Sequence, residues 1–264
     1  MAIWEEFELE CTDYLNKRFG AYARFIHQGG SDSTVPDILV ETKSGKSFYI
    51  DAKHSPAQCG QFVLLPDIET STFEYSQQNA NRINAYASMI MDYMNGSFDE
   101  YREAGTAGKD IDMPNSEEIF SEWVIDTYAS KGARYFITND FVLFPIDRFR
   151  RYFDITAKYR IKRSGSSSVG RSRIDMVSDY IASHDYFING TRVDGDKLFV
   201  SSSRNLHNQR FILRAYEYMF SLRDREYEIR KLSNTYNANV IFSITKKGNV
   251  PGMSDSEFIS DLQS

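Results

Sequence analysis

Cysteine and histidine are scarce in this sequence. Its 264 residues include two cysteines, Cys11 and Cys59, and four histidines. Two cysteines cannot form a disulfide framework, and such low cysteine usage is typical of proteins from a reducing cytoplasm. So few scattered Cys and His residues also exclude a zinc site of the usual Cys/His kind.

Long apolar runs and targeting signals are missing as well. No run of about 18 apolar residues is present, which excludes a membrane-spanning helix. The first ten residues, MAIWEEFELE, are acidic, so we expect neither a signal peptide nor a transit peptide. The composition, with 41% hydrophobic and 26% charged residues, is that of a folded globular protein that can bury a real core.

The charged residues that are present are strongly segregated along the chain. The net charge is −6, and an acidic average argues against a nucleic-acid partner. However, residues 92–126 carry ten carboxylates against two basic residues, whereas residues 148–173 carry nine basic residues against one carboxylate. Phosphate backbones respond to the local density of Lys and Arg. The basic stretch therefore predicts either a polyanion-binding surface or a solvated charged face.

Apolar periodicity predicts an amphipathic helix at the start of the chain and several strands after it. Residues 3–17 place Ile3, Phe7, Cys11 and Leu15 on one apolar stripe. We further predict strands at 22–28, 37–41, 47–53, 62–65, 134–138 and 141–146, a long helix at 75–94, and a hairpin around Asn189-Gly190. No internal repeat and no long linker interrupts this pattern.

The stretch richest in chemical information contains two carboxylates and a lysine on consecutive predicted strands. Side chains alternate along a strand, so Asp51 and Lys53 project from the same face. The turn between the strands can bring Asp37 back beside Asp51. Carboxylate oxygens are the ligands that Mg²⁺ prefers, and Mg²⁺ keeps several waters. Metal-assisted hydrolysis of a phosphodiester is the chemistry that this grouping predicts, with Lys53 orienting or deprotonating the water or stabilising the transition state.

A further carboxylate is expected from the first helix. On a helical wheel, Glu8 and Glu10 border the apolar stripe on opposite sides, whereas Glu5 and Glu6 point away from it. Because Glu8 directly follows Phe7, it is placed at the edge of the helix–sheet contact. We therefore favour Glu8 over Glu10 as the carboxylate that joins the site.

This arrangement resembles the PD-(D/E)XK nuclease superfamily, and within it the Type II restriction endonucleases. The resemblance rests on Pro36-Asp37 and Asp51-Ala52-Lys53 after an acidic helix residue, and it covers about residues 3–66. It implies an α/β (α+β) fold, in which helices flank a mixed, restriction-endonuclease-like sheet and the C-terminal part is rich in strands. It also implies a single nuclease domain over 1–264, with a catalytic core at about 1–147 and a DNA-recognition part at about 148–264.

The resemblance implies a cofactor, a substrate and a set of contacts. Mg²⁺ would be held by Asp37 and Asp51, the substrate would be double-stranded DNA, and a homodimer is expected because two strands of a palindrome must be cut. Arg and Lys read guanine in the major groove, and Asn and Gln read adenine. On this basis the predicted DNA-binding residues are Gln58, Gln61, Lys158, Arg160, Lys162, Arg163, Ser164, Arg204 and Asn208.

Two short motifs in the same region are decoys. Gly45-Lys46-Ser47 resembles the end of a phosphate-binding loop, but that pattern needs glycine where Val40 stands, so we expect no ATP binding. Glu41-Thr42-Lys43 is a second E-x-K, but it lies only four residues after Asp37 and leaves no room for a turn.

Other interpretations of the same residues stay open at this point. The chain is alternatively a repair, junction-resolving or transposon-end nuclease of the same fold. It is also interpretable as a DNA- or partner-binding protein that has lost catalysis. The least specific interpretation is a hairpin whose exposed face happens to carry acidic and basic side chains without any function.

Overall fold

The computed structural model describes residues 3–28, 35–163, 165–233 and 236–264 of the chain. Two compact units divide it: a larger unit of Met1–Arg160 with Ala238–Ser264, and a smaller unit of Ile161–Asn237. Within the described ranges, no helix is long and apolar enough to cross a membrane. The predicted catalytic and recognition parts, divided at about residue 147, stay a functional prediction.

The elements follow one another in a regular order. The first part of the chain contains α1 (Ile3–Phe19), β1 (Ala23–His27), β2 (Ile38–Thr42), β3 (Ser47–Lys53), β4 (Ala57–Asp67), β5 (Thr72–Tyr75), α2 (Ala85–Asn95), α3 (Phe98–Arg102), β6 (Lys109–Asp110), α4 (Ser116–Ser130), β7 (Ala133–Thr138), β8 (Val142–Pro145), α5 (Phe149–Tyr152) and β9 (Phe153–Arg163). There follow β10 (Ser166–Ser168), α6 (Ile174–Ala182), β11 (Ile188–Asp194), β12 (Lys197–Ser202), β13 (Arg210–Leu213), β14 (Tyr216–Arg223) and β15 (Glu226–Leu232). The chain ends with β16 (Tyr236–Lys246) and α7 (Asp255–Gln263).

The first sheet of the larger unit is mixed, with strand order β1-β2-β3-β7-β8. All its pairings are antiparallel except that of β3 with β7, which is parallel. One face of this sheet packs against α1 and α7, where Cys11, Leu15 and Phe258 are fully buried with the apolar residues of the strands. The apolar stripe predicted for the first helix is thus the surface that this core buries.

The second sheet of the larger unit has strand order β5-β4-β16-β9-β6. The pairing of β4 with β16 joins residues about 180 positions apart, for example Phe62 with Val240. Helix α4 contributes Trp123 to this region, and its ring stacks on Phe242 at 4.2 Å between ring centroids. Phe62 adds a further ring 5.5 Å from Trp123. These aromatic contacts hold the Trp123 ring against β4.

The smaller unit has a sheet of its own. Its strands run in the order β11-β12-β15-β14-β13, and β10 pairs with β15 on the side of this path. Every pairing in this sheet is antiparallel. Val177 and Ile181 of α6 are buried against Leu198 and Phe220 of the strands in a separate core. Together with the mixed sheet and its helices, this confirms the predicted α/β (α+β) fold with a strand-rich C-terminal part.

Several element predictions are accurate to within two residues, one strand and one helix have other bounds than predicted, and the predicted hairpin turn is wrong. The first helix, the strands at 22–28, 37–41 and 47–53, and the pair near 134–146 are present. The strand predicted at 62–65 begins already at Ala57, because the polar residues before Phe62 pair with β16. The helix predicted at 75–94 begins only at Ala85, since Asn84 caps it by accepting a hydrogen bond from the Ala87 N–H. Asn189-Gly190 lies at an irregularity inside β11, and the hairpin turns at Gly195-Asp196 instead.

Candidate active site

Strands β2 and β3 bring Asp37, Asp51 and Lys53 together. Asp37 directly precedes β2, whose Ile38 pairs with Ile50 of β3. The Asp37 carboxylate accepts a hydrogen bond of 2.8 Å from the backbone N–H of Ala52. Asp51 and Lys53 lie on one face of β3, and the Lys53 ammonium forms an ion pair with Asp51. The structure therefore places the three predicted residues in one cluster, where β2 begins and β3 ends.

The electrostatics of the cluster are dominated by burial and by the crowding of carboxylates. Burial and, to a lesser degree, the charges of Asp51 and Glu8 raise the pKa of Asp37 to about 7, against the opposing effects of Lys53 and the Ala52 N–H. Burial acts to lower the pKa of Lys53, but the surrounding groups, first among them Asp51, together outweigh burial and hold this pKa well above its ordinary value. The cluster therefore favours a bound cation near Asp37 and Asp51.

Helix α1 adds Glu8 to the same cluster, and the side chain of Glu8 lines the same cleft. Glu8 is only 8% exposed, whereas Glu10 is exposed to solvent. The Glu8 carboxylate lies 3.1 Å from Nε2 of His27 on β1. The two groups whose charges raise the pKa of Asp37 are thus both carboxylates, Asp51 and Glu8, and they come from different elements.

Lys53 is enclosed by aromatic rings and a thiol. Its ammonium lies 5.4 Å from the ring centroid of Tyr128 and 6.0 Å from that of Phe136, within the range of cation–π attraction. Cys59 is fully buried nearby, and burial raises the pKa of its thiol to about 12. A thiol with such a pKa is protonated at neutral pH and is therefore not a nucleophile.

The cluster opens into a cleft of about 520 Å³. Gln58 and Gln61 both line this cleft, although residues three apart on a regular strand face opposite sides. A bulge explains their shared direction, because Cys59 and Gly60 together oppose a single residue of β16. Gly60 has a φ of +93°, and an added Cβ would lie 2.9 Å from Cζ3 of Trp123. The bulge thus requires glycine at this position.

The predicted DNA contacts outside the cleft are distributed over both units. Lys158 and Arg160 lie on β9 and do not line the cleft, and Lys158 forms an ion pair of 3.4 Å with Asp110. In the smaller unit, Lys162 is exposed, and the Arg204 guanidinium lies 3.4 Å from the centroid of the Phe187 ring. Asn208 is exposed there with a φ of +65°. Ser164 and the side chain of Arg163 lie outside the described part of the chain.

The sequence pattern did not predict that one face of α4 lines the cleft. Trp123, Thr127 and Lys131, at the end of the helix, are spaced by four residues, and all three line the cleft together with Tyr128. The spacing is visible in the sequence, but only the packing of α4 beside β3 and β4 shows that this face of the helix lines the cleft. The turn at 76–81 also borders the cleft, where the Asn79 side chain accepts from the Val63 N–H at 2.7 Å and donates to the Val63 carbonyl at 3.0 Å. These two hydrogen bonds fix the turn to β4, so Asn79 has a structural role.

The donor set fits Mg²⁺ better than it fits a metal held by protein alone. Among the described residues, no group of three or more His, Cys, Asp or Glu side chains is arranged to hold a metal ion. Mg²⁺ does not need such a group, because one or two carboxylates commonly bind it together with waters and phosphate oxygens. Oδ1 of Asp51 is buried, and the Lys53 ammonium is the cation beside it. This oxygen and the Asp37 carboxylate supply the hard donors that Mg²⁺ prefers.

A mixed sheet flanked by helices, with two carboxylates and a lysine brought together at the ends of adjacent strands, is the arrangement expected of a nuclease of the restriction-endonuclease type. No family model matches the chain, and no curated protein matches it. Among solved structures, it is similar to HhaI endonuclease in complex with DNA, with 37% sequence identity over 98% of this chain and 96% of that chain and a TM-score of 0.74. The chain belongs to the family of restriction endonucleases that includes HhaI.

Proposed function

We propose that this restriction-type endonuclease depends on Mg²⁺ and cuts double-stranded DNA at a specific sequence, as part of host defence. The observation that carries the proposal is the meeting of Asp37, Asp51 and Lys53 inside a cleft, where β2 begins and β3 ends. The similarity to an endonuclease bound to DNA supports the choice of substrate.

Each residue of the cluster has a distinct role in this proposal. Asp37 and Asp51 would hold Mg²⁺, which supplies Lewis-acid stabilisation of the phosphoryl charge and an activated water when bound. Lys53 presents a positive charge beside Asp51, where an ammonium stabilises charge that develops on the phosphate oxygens. Glu8 contributes a further carboxylate that orients groups around Asp37. The surrounding Tyr128 and Phe136 rings exclude water from Lys53.

DNA recognition is assigned to polar residues in both units. Gln58 and Gln61 reach the cleft from the β4 bulge and suit contacts to adenine edges or to phosphate. We propose that the following residues supply further contacts to the DNA: Lys158, Arg160, Lys162, Arg163, Ser164, Arg204 and Asn208. Basic side chains among them would add affinity that falls with salt concentration.

The number of subunits and the cellular location stay predictions. A homodimer would cut both strands in one binding event, so supercoiled plasmid would convert directly to linear DNA. A single active site would instead accumulate nicked circles first, and analytical ultracentrifugation with and without DNA gives an independent measure. A cytoplasmic location is expected because DNA that enters the cell is met there.

Incubation with unmethylated phage DNA and Mg²⁺ tests the proposed function. Discrete fragments are expected, and they should disappear when EDTA is added. A smear, or cutting only of branched or single-stranded DNA, would favour a repair-type nuclease, and retained binding without cleavage would reject an enzymatic role.

The Asp51→Ala and Lys53→Ala variants test the residue assignment. Both are expected to abolish cleavage, because one removes a metal ligand and the other removes the cation beside the phosphate. Glu41→Gln with Lys43→Met is the matched control, since these exposed residues form an E-x-K outside the cleft. Cleavage by Asp51→Ala at the wild-type rate would refute the assignment.

A further inference from the structure

A second lysine lines the catalytic cleft. Lys131 follows α4 directly and is half-buried among the cleft residues. Its ammonium lies 5.7 Å from the ring centroid of Tyr128, the same residue that packs on Lys53. Gly132 comes next with a φ of +76°, and its carbonyl accepts a 2.9 Å hydrogen bond from the Tyr49 N–H of β3. The backbone at Lys131 is therefore anchored to the strand that carries Asp51.

The electrostatic setting of Lys131 differs from that of Lys53. Lys53 is committed to its ion pair with Asp51 and is only 14% exposed. The pKa of Lys131 is lowered, because burial and the nearby charge of Lys53 outweigh the charges of Asp51 and Asp37, which act to raise it. Lys131 is thus close enough to interact with the catalytic carboxylates and yet retains access to the cleft. A partly dehydrated ammonium in such a place gains more from an incoming phosphate than an exposed lysine does.

The cleft also has a charge requirement that Lys53 alone does not meet. Glu8, Asp37 and Asp51 surround the place where a phosphodiester would enter. Mg²⁺ at Asp37 and Asp51, together with Lys53, would only neutralise these three carboxylates, so a phosphodiester that enters gains from one more cation on the same wall. Among the described residues that line the cleft, Lys53 and Lys131 are the ones with cationic side chains.

We propose that Lys131 is a second phosphate-binding lysine of this active site, which contacts the DNA backbone at or next to the scissile phosphate. The inference rests on the proposed function and deepens it. In this role Lys131 holds the phosphate by charge and hydrogen bonding, in addition to Lys53, whose ammonium lies beside Asp51. Tyr128 and the α4 end position the Lys131 side chain toward the cleft.

Kinetics of three variants test the proposal. Lys131→Met is expected to lower the single-turnover cleavage rate at least about tenfold and to reduce the slope of log binding constant against log salt by about one. Lys131→Arg keeps the charge and is expected to restore the salt slope. Lys43→Met is the matched control, because Lys43 is exposed in the β2–β3 turn and should leave both quantities unchanged. Wild-type cleavage and wild-type salt dependence in Lys131→Met would overturn the proposal.

A footprint on the wild-type protein keeps the test independent of variant folding. Amine acetylation without Mg²⁺ should label Lys131 and Lys43 in the free protein, and DNA should protect Lys131 but not Lys43. Equal labelling of Lys131 with and without DNA would reject the contact. A lysine that only offsets the charge of the carboxylates would alter stability in the variant but would show neither protection nor a change in salt slope. If the wild type itself does not cut DNA, the proposed function fails, whereas wild-type cutting with no protection refutes the role of Lys131 alone.

Discussion

Replacing Gly60 by alanine should damage the protein in two separable ways. Gly60 has a φ of +93°, and a side chain at such a φ costs about 1–2 kcal/mol. The new Cβ would also lie 2.9 Å from the Trp123 ring. This ring has little freedom to move, because it stacks on Phe242 at 4.2 Å and contacts Phe62 at 5.5 Å between centroids. Overpacking of this kind costs about 1–3 kcal/mol more.

The chain contains a control that isolates the steric part of this cost. Gly45, in the turn between β2 and β3, has a similar φ of +84° and nothing within 4 Å of a built Cβ. Gly45→Ala should therefore lose only about 1–2 kcal/mol in the free energy of unfolding, and Gly60→Ala about 2–5 kcal/mol. The difference in the free energy of unfolding between the two variants measures the energetic cost of the contact with Trp123.

Urea unfolding followed by tryptophan fluorescence is the suitable assay. Both tryptophans, Trp4 and Trp123, lie in the larger unit, so the signal reports on that unit alone. Gly60→Ala should also cleave DNA more slowly under conditions where it is folded, since the bulge that directs Gln58 and Gln61 is disturbed. If Gly60→Ala is no less stable than Gly45→Ala, the Trp123 ring does not confine the bulge and the reasoning is refuted.

Two further variants test the carboxylates. In EDTA, Asp37→Asn should raise the free energy of unfolding at pH 8 by up to about 4 kcal/mol, because a folded-state pKa of about 7 means that the charged carboxyl destabilises the fold increasingly between about pH 4 and pH 7. The gain should vanish near pH 4, and an equal gain at both pH values in urea titrations would contradict this account. Glu8→Gln should raise the Mg²⁺ concentration needed for half-maximal cleavage about 10- to 100-fold, whereas Glu10→Gln should not. If the Mg²⁺ dependence of Glu8→Gln is unchanged, Glu8 has no part in metal binding and its role is its contact with His27.

Part of the charge segregation along the chain is explained by internal pairing. Arg150 of the basic stretch lies 3.2 Å from Glu118 of the acidic stretch, and Lys158 lies 3.4 Å from Asp110. Such exposed pairs contribute about 0–1 kcal/mol each. Part of the basic stretch therefore pairs with carboxylates of the protein itself and does not depend on a polyanion. For that part, the interpretation as a solvated charged face applies.

Local sequence determined the central cluster of the site. The alternation of side chains along a strand places Asp51 and Lys53 on one face, and a short turn returns Asp37 to Asp51. The helical repeat of α1 likewise distinguishes the buried Glu8 from the exposed Glu10. These relationships span only a few residues or one hairpin, so backbone periodicity is sufficient to predict them.

Only the tertiary structure decided the remainder of the cleft. The direction of Gln58 and Gln61 depends on a bulge that forms because β4 pairs with β16, about 180 residues away. Lys131 reaches the cleft because the parallel pairing of β3 and β7 sets the position of the turn after α4. Periodicity describes which residues share a face of one element, but it contains no information on which distant element packs against that face.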